Sequence, residues 1–232
     1  MLNRSLAGRT ALLLPCVAYA AIICVTEWGS PLSCVPPGRE RRAALAIRDN
    51  VTPFQKWGTR QFTAPYLDRY YDRAWYFTQT RSGDCKEEFL AALNTALERY
   101  PDVDLFLLAH FNNYIRWVAQ VPLAQRAHLR LIYNTGCYDL KQGDAWMQLG
   151  AKAYVGHPGE SASPVFYFYF LRRWSRGMPL KEAMEDSNAL MRSALKRGES
   201  GSFGKLNAAQ IAHESEAFSY GNTTLRIQSG TE

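Results

Sequence analysis

Two short apolar segments, residues 103–109 and 129–134, constrain the fold of this chain more than any other feature. Both are dominated by aliphatic and aromatic side chains, which is typical of strands buried on both faces of a parallel sheet. The segment between them is long enough for a parallel crossover, which needs about a dozen residues or more. We therefore predict two parallel strands here.

Predicted strands and helices alternate along the rest of the chain. A strand is expected over residues 74–78, and the next helix repeats apolar residues at helical spacing, namely Phe89, Leu90, Leu93 and Leu97. Beyond the second apolar segment the pattern predicts a short helix, a strand and an aromatic-rich helix, over residues 144–149, 151–156 and 164–173. This alternation predicts an α/β fold with a mostly parallel sheet and helices on both faces.

Composition limits the classes of function that need to be considered. With 232 residues, of which 47% are hydrophobic, the chain can bury one core behind an N-terminal segment. The net charge is +6, but the basic residues are scattered rather than clustered, so we expect no nucleic-acid partner. The sequence has no HExxH, paired CxxC or glycine-rich phosphate motif, so no metal and no cofactor are expected.

The first 33 residues are typical of an export signal. Arg4 and Arg9 precede an apolar stretch over residues 11–25, which has the length of a signal h-region. We predict that residues 1–33 are a signal peptide or membrane anchor and that the protein reaches the cell envelope, membrane-anchored, periplasmic or secreted. Cys34 follows a small residue, as at the end of a bacterial lipoprotein signal. Lipidation at Cys34, an uncleaved anchor and simple secretion all stay open.

The segment that follows is rich in proline and arginine. We interpret residues 34–65 as a tether that contains an amphipathic helix near residues 41–48. The folded domain is then expected over residues 66–232.

A histidine and a cysteine follow the two apolar segments. His110 comes directly after the first, and Cys137 follows the second after one threonine and one glycine. The carboxyl ends of neighbouring parallel strands share one edge of a sheet, so the two side chains are expected to face each other. A neighbouring imidazole lowers the pKa of a thiol from about 8.5 to about 3.5–7.5 and so creates a nucleophile. The alternatives are a structural histidine and a cysteine that is buried or disulfide-bonded to Cys85.

The order of these features resembles the caspase-like cysteine peptidase superfamily, and most closely its CHAT and gingipain-like branches. The shared order is strand-His, strand-Cys, short helix, a Gly-Ala-Lys-Ala-Tyr-Val strand over residues 150–155, and then a long helix. A second helix begins near residues 179–184, and residues 220–226 resemble the Tyr-Gly-Asp-Pro-x-Leu-Arg segment that closes such domains. The resemblance covers residues 74–228. It implies a three-layer caspase-like fold, with His110 as general base and Cys137 as nucleophile.

The chain departs from the family pattern beside both candidate residues. Family members place a glycine after the histidine and a Ser or Thr and a glycine after the cysteine, whereas this chain has Phe111, Tyr138 and Asp139. We expect Phe111 to narrow the oxyanion hole and an inward-pointing Asp139 to oppose thiolate formation. Residues expected to contact the substrate are Phe111, Gly136, Asp139 and His157. For His157 a purely structural role in a Gly-His-Pro-Gly turn is the alternative.

Two functions therefore stay open. The first is an exported, membrane-tethered cysteine endopeptidase that acts on a protein or peptide substrate through a Cys137–His110 dyad. The second is a catalytically inactive envelope protein on the same fold, with a Cys85–Cys137 disulfide and a binding surface around His157.

Overall fold

The computed structural model describes residues 35, 37–49, 60, 63–79, 84–110, 112–160, 163–201 and 207–228. The chain divides into two units, Met1–Cys34 and Val35–Glu232, and every described residue belongs to the second. The predictions of a signal or anchor over residues 1–33, of lipidation at Cys34 and of a role for Phe111 lie outside the described residues.

A six-stranded sheet forms the centre of the described unit. In chain order its strands are β1 (Arg42–Asp49), β2 (Arg73–Gln79), β3 (Asp102–Leu108), β4 (Leu129–Asn134), β5 (Ala153–Gly156) and β6 (Phe218–Gly221). They lie in the order β2-β1-β3-β4-β5-β6, with the first five parallel and β6 antiparallel to β5. This confirms the predicted α/β class and the adjacency of the two apolar strands, β3 and β4.

Helices connect the strands. They are α1 (Ala64–Tyr70), α2 (Lys86–Arg99), α3 (Ile115–Val118), α4 (Leu123–Arg126), α5 (Gly143–Gln148), α6 (Ser163–Trp174), α7 (Leu180–Gly201) and α8 (Ala208–Ser215). Short 3₁₀ turns occupy Arg39–Arg41 and Asp139–Gln142. The crossover between β3 and β4 thus contains two single-turn helices, and α2, α5 and α6 lie where the apolar pattern predicts helices.

Both faces of the sheet are covered at β3, which is buried at every position. On one face Leu105 packs in a core cluster with Phe89 and Leu93 of α2. On the opposite face Phe106 meets the edge of the Tyr71 ring, with 6.1 Å between ring centroids. Alternate residues of a strand point to opposite faces, so a strand that is apolar on both sides must lie between two layers.

The prediction of a helix near residues 41–48 is wrong, because these residues form β1. The segment has an unbroken apolar run from Ala43 to Ile47 between arginines, and such a short run fits a buried strand as well as a helix. β1 lies between β2 and β3 and bonds to both, so all its backbone groups along the run have strand partners. The sheet therefore begins within the residues that were assigned to the tether.

A buried ion pair ties the amino-terminal ends of the strands together. Asp104 of β3 accepts hydrogen bonds from Arg130 of β4, at 2.9 Å from Nε and 2.6 Å from Nη2. Burial lowers the pKa of Arg130, but the adjacent Asp104 carboxylate more than offsets this and holds that pKa above its ordinary value. Arg130 Nη1 and Arg42 Nη1 both donate to the Ile227 carbonyl, which anchors the carboxyl-terminal segment.

Among the described helices, none combines the length and the apolar character needed to cross a membrane.

Candidate functional site

His110 lies at the carboxyl edge of the sheet, two residues beyond the end of β3. The neighbouring strand β1 ends at Asp49, whose Oδ2 accepts the His110 backbone N–H at 2.6 Å. The same Oδ2 lies 3.3 Å from the His110 ring Nδ1. A carboxylate at Nδ1 favours the tautomer that carries the proton on Nδ1, so that Nε2 is the basic nitrogen.

The sequence pattern did not predict that Asp49 belongs to the site. Its signal is the same as that of His110, a polar residue at the end of an apolar run, but the run was interpreted as a helix. A helix has no carboxyl edge shared with β3, so no contact between Asp49 and His110 was expected.

Cys137 leaves β4 at the same edge. The Thr135 backbone N–H and its Oγ1 both donate to the Leu107 carbonyl, at 3.0 and 3.1 Å, and so hold the end of β4 against β3. A Cβ placed on Gly136 would lie 2.7 Å from the His110 carbonyl oxygen, which is closer than real Cβ contacts allow. The loops that carry His110 and Cys137 therefore meet, and Gly136 makes the approach possible.

Cys137 itself is a half-buried free thiol. Its backbone N–H has no hydrogen-bond acceptor among the described residues. No hydrogen bond joins its Sγ to the His110 ring, although both residues belong to the described part of the chain. Cys137 and His110 thus lie on loops that touch, but their side chains are not hydrogen-bonded to each other; in structures without substrate, hydrogen bonds between catalytic groups are often long and tighten when substrate binds.

The backbone is strained directly after the candidate nucleophile. Tyr138 has φ 60° and ψ 15°, and it is the only non-glycine residue with positive φ in the described ranges. Its N–H donates to the Gly159 carbonyl at 3.1 Å, and its side chain is 49% exposed beside Cys137. Conformations of this kind cost of order 1–3 kcal/mol and cluster at functional sites.

The Asp139 side chain points into the protein and does not contact solvent. Its carboxylate is fully buried and accepts hydrogen bonds from Gln142 Nε2 at 2.7 Å, Asn112 Nδ2 at 3.0 Å and Asn134 Nδ2 at 3.3 Å. Burial raises the pKa of Asp139 to about 6, and the hydrogen bonds only partly counter it. The expected substrate contact is therefore replaced by a role beneath the loop.

His157 does not form part of an open surface, which contradicts the expected substrate contact. Its side chain is completely buried, with Nδ1 2.8 Å from the Ser215 carbonyl and the ring packed 6.0 Å from that of Tyr133. Burial lowers the pKa of His157 to about 4, so the ring is neutral at pH 7. The structural role in the turn is the correct interpretation.

The Cys85–Cys137 disulfide is not formed, since both thiols are free. Cys85 follows β2 at one edge of the sheet, and β1 and β3 separate that strand from β4. Three strand spacings amount to about 14 Å, whereas the Cα atoms of a disulfide lie within about 7 Å. The strand order that the sequence did not predict explains the difference.

Within the described ranges, no group of three or more His, Cys, Asp or Glu side chains is arranged to hold a metal ion. No protein-family model, no curated protein and no solved structure matches the chain significantly.

Proposed function

We propose that this protein is an exported, membrane-tethered cysteine endopeptidase with a caspase-like fold, in which Cys137 is the nucleophile and His110 the general base. The observation that carries the proposal is the alignment of Asp49, His110 and Cys137 at the ends of the adjacent strands β1, β3 and β4. The mostly parallel sheet, with helices on both faces, supports the caspase-like fold. Export and tethering rest on the pattern of residues 1–33.

In this mechanism each of the three residues has a distinct task. Asp49 holds the His110 ring through Nδ1, and Nε2 takes the proton from the Cys137 thiol. The thiolate attacks the carbonyl carbon of the scissile peptide bond, and His110 returns the proton to the leaving amine. Water then hydrolyses the thioester and regenerates the thiol.

The Cys137 backbone N–H supplies a donor for the oxyanion of this reaction. It has no acceptor among the described residues and lies directly at the nucleophile. The αL conformation of Tyr138 fixes the peptide that follows and so limits the direction of this loop. A preorganised donor of this kind contributes a large part of the stabilisation of acyl-transfer transition states.

A second candidate, a non-catalytic binding domain on the same fold, is favoured by one observation. The Cys137 thiol and the His110 ring are not hydrogen-bonded to each other. In such a binding domain, Cys137 and His110 would be neighbours without a catalytic role. The Cys85–Cys137 disulfide expected for this candidate is not formed, since both thiols are free.

The two candidates differ in the reactivity of Cys137. In the full chain we would measure the alkylation rate of Cys137 against pH, reading each cysteine separately by mass spectrometry, in wild type and His110→Ala. Cys85 serves as the internal reference, because burial raises the pKa of its thiol and no histidine among the described residues contacts it. The peptidase requires fast labelling of Cys137 that persists below pH 7 and collapses in the variant. Labelling no faster than that of Cys85 in both proteins would instead establish the non-catalytic domain.

A further inference from the structure

Three buried polar side chains lie beneath the two loops of the candidate site. They are Asn112, Asn134 and Asp139, which are 8%, 0% and 0% exposed, and we call them the amide clamp. Asn112 comes from the loop that follows His110, Asn134 ends β4, and Asp139 lies two residues after Cys137. The clamp thus joins both sides of the site from below.

Asn112 connects the backbone of the base to the loop of the nucleophile. Its Nδ2 lies 3.0 Å from the His110 carbonyl, 2.9 Å from Asn134 Oδ1 and 3.0 Å from Asp139 Oδ2. Asn134 Oδ1 also accepts the Gly136 backbone N–H at 3.0 Å. A continuous path of hydrogen bonds therefore runs from the carbonyl of His110 to the amide that precedes Cys137.

Asp139 holds the clamp closed from the other side of Cys137. Gln142 donates both to its Oδ1 and to the Asn112 carbonyl, at 2.7 and 2.9 Å. Tyr154 of β5 donates to the Asp139 carbonyl at 2.6 Å. Asp139 is therefore fixed by both its main chain and its side chain.

The amide clamp buries a carboxylate, which costs free energy. Among the described residues no lysine, arginine or histidine forms an ion pair with Asp139, so its charge is compensated mainly by amide hydrogen bonds, with a smaller contribution from the nearby charge of Lys141. Buried carboxylates without a cation are disfavoured, and apolar packing of similar volume is often at least as stable. The buried carboxylate directly follows the strained Tyr138 in the chain, and Asn112 links it to the His110 carbonyl.

We propose that the amide clamp sets the separation of His110 and Cys137, and that Asn112 and Asp139 are positioning residues for the thiol–imidazole pair. This inference rests on the proposed function. Hydrogen bonds fix direction as well as distance, which nonpolar packing of a loop does not do. A misplacement of about 1 Å between reacting groups can reduce reaction rates by about a hundredfold. Hydrogen bonds that fix the positions of the two loops would therefore affect catalysis directly.

The test uses the full chain and two readouts, the alkylation rate of Cys137 at pH 7 and the hydrogen exchange of the backbone over residues 135–138. The first variant is Asn112→Ala. The matched control is Asn188→Ala, which also removes a buried asparagine whose side chain bonds twice to one residue, the N–H and carbonyl of Ala217. Asn188 lies on α7, outside the strand ends that carry the site.

The clamp predicts that Asn112→Ala slows alkylation of Cys137 by about tenfold or more and speeds exchange at the Gly136 amide. Asn188→Ala should change neither quantity beyond about twofold, because it removes similar bonds far from the loops. Where Asn112→Ala does not fold, Asp139→Asn replaces it. That substitution keeps the shape of the side chain but turns one acceptor oxygen into an NH₂ donor, which faces other amide donors. It should therefore also slow alkylation of Cys137 and speed exchange at the Gly136 amide.

The outcomes separate this inference from the proposed function. If His110→Ala slows labelling while Asn112→Ala and Asp139→Asn behave as wild type, the peptidase stands and the positioning role is overturned. If His110→Ala leaves labelling unchanged while the clamp variants speed exchange, the clamp holds the loops together. The proposed function then fails, and the positioning role fails with it.

Discussion

The two edges of the sheet each bury a carboxylate, but they satisfy it in different ways. At the amino-terminal edge Asp104 pairs with the Arg130 guanidinium through two hydrogen bonds and also accepts one from Tyr71 at 2.5 Å. At the carboxyl edge the Asp139 carboxylate accepts hydrogen bonds from three amide groups and forms no ion pair among the described residues, and burial raises its pKa to about 6. Both carboxylates are completely hidden from solvent.

The difference separates a structural network from a candidate functional one. The Asp104 network connects β3, β4, α6 and the carboxyl-terminal segment, and Trp174 donates to the Tyr71 hydroxyl at 3.0 Å to close it. It holds elements together and leaves its charges paired. The Asp139 network buries a carboxylate with no hydrogen-bonded cation among the described residues, beside a strained residue and a free thiol, a combination typical of functional sites. Four predictions test this contrast.

The largest effect is expected at the amino-terminal edge. Asp104→Ala removes the two hydrogen bonds that Arg130 makes to a carboxylate and leaves this buried charge only the more distant Asp102 at 3.8 Å, so we expect the free energy of unfolding to fall by about 3–5 kcal/mol. Denaturant unfolding measures this change. The control is Glu185→Ala, which removes an exposed ion pair with Lys181 and should cost no more than about 0.5 kcal/mol. If both variants lost the same unfolding free energy, the Asp104 network would not have the structural role assigned to it.

The dependence of stability on pH should reveal Asp139. Its pKa is about 6 in the folded chain against about 4 when unfolded, so folding favours the protonated form. As the pH falls from 6 to 4, Asp139 alone should raise the free energy of unfolding by up to about 3 kcal/mol.

His157 acts in the opposite direction over the same range. Its pKa is about 4 when folded and 6.5 when unfolded, so stability falls by up to about 3 kcal/mol as the pH drops from 6.5 to 4. Wild type should therefore change little between pH 6 and 4 on account of these two groups. Asp139→Asn should lose stability over that range and His157→Gln should gain it. Parallel curves for all three proteins would contradict the assigned burial of both groups.

Gly136→Ala tests the contact between the two loops. The added methyl would overlap Asp139 Oδ2 and would lie 2.7 Å from the His110 carbonyl oxygen and 2.9 Å from Asn112 Nδ2, so the Asp139 side chain must shift and the two loops must move apart. We expect a loss of about 1–3 kcal/mol in unfolding free energy and slower alkylation of Cys137. Stability comes from denaturant titration and reactivity from site-resolved mass spectrometry. Unchanged alkylation would show that the separation of the loops does not control the thiol.

The smallest effect concerns the strain at Tyr138. Tyr138→Gly removes the cost of positive φ but adds backbone freedom to the unfolded chain, so a gain of at most about 1 kcal/mol is expected. Tyr138→Ile should be less stable than wild type, because a β-branched residue tolerates this conformation poorly. Thermal unfolding of the pair measures the strain. The reverse order of stability would mean that the carboxyl edge stores no strain at this residue.

Local sequence determined the elements whose burial follows a simple pattern along the chain. β3 and β4 are apolar along their length because both of their faces are covered, so their type, their neighbourhood and the positions of His110 and Cys137 could be predicted. The amphipathic spacing of α2 likewise records a helix with one buried face.

Tertiary structure decided what depends on contacts between distant segments. Whether the apolar run of β1 formed a helix or a strand was settled by partners on both sides, residues 73–79 and 102–108, which no local pattern encodes. The same pairing brought Asp49 to His110, separated Cys85 from Cys137 and placed Asp139 under amide donors from two loops. Periodicity records which face of a segment is buried, whereas strand order and the burial of single polar groups arise only when the whole sheet assembles.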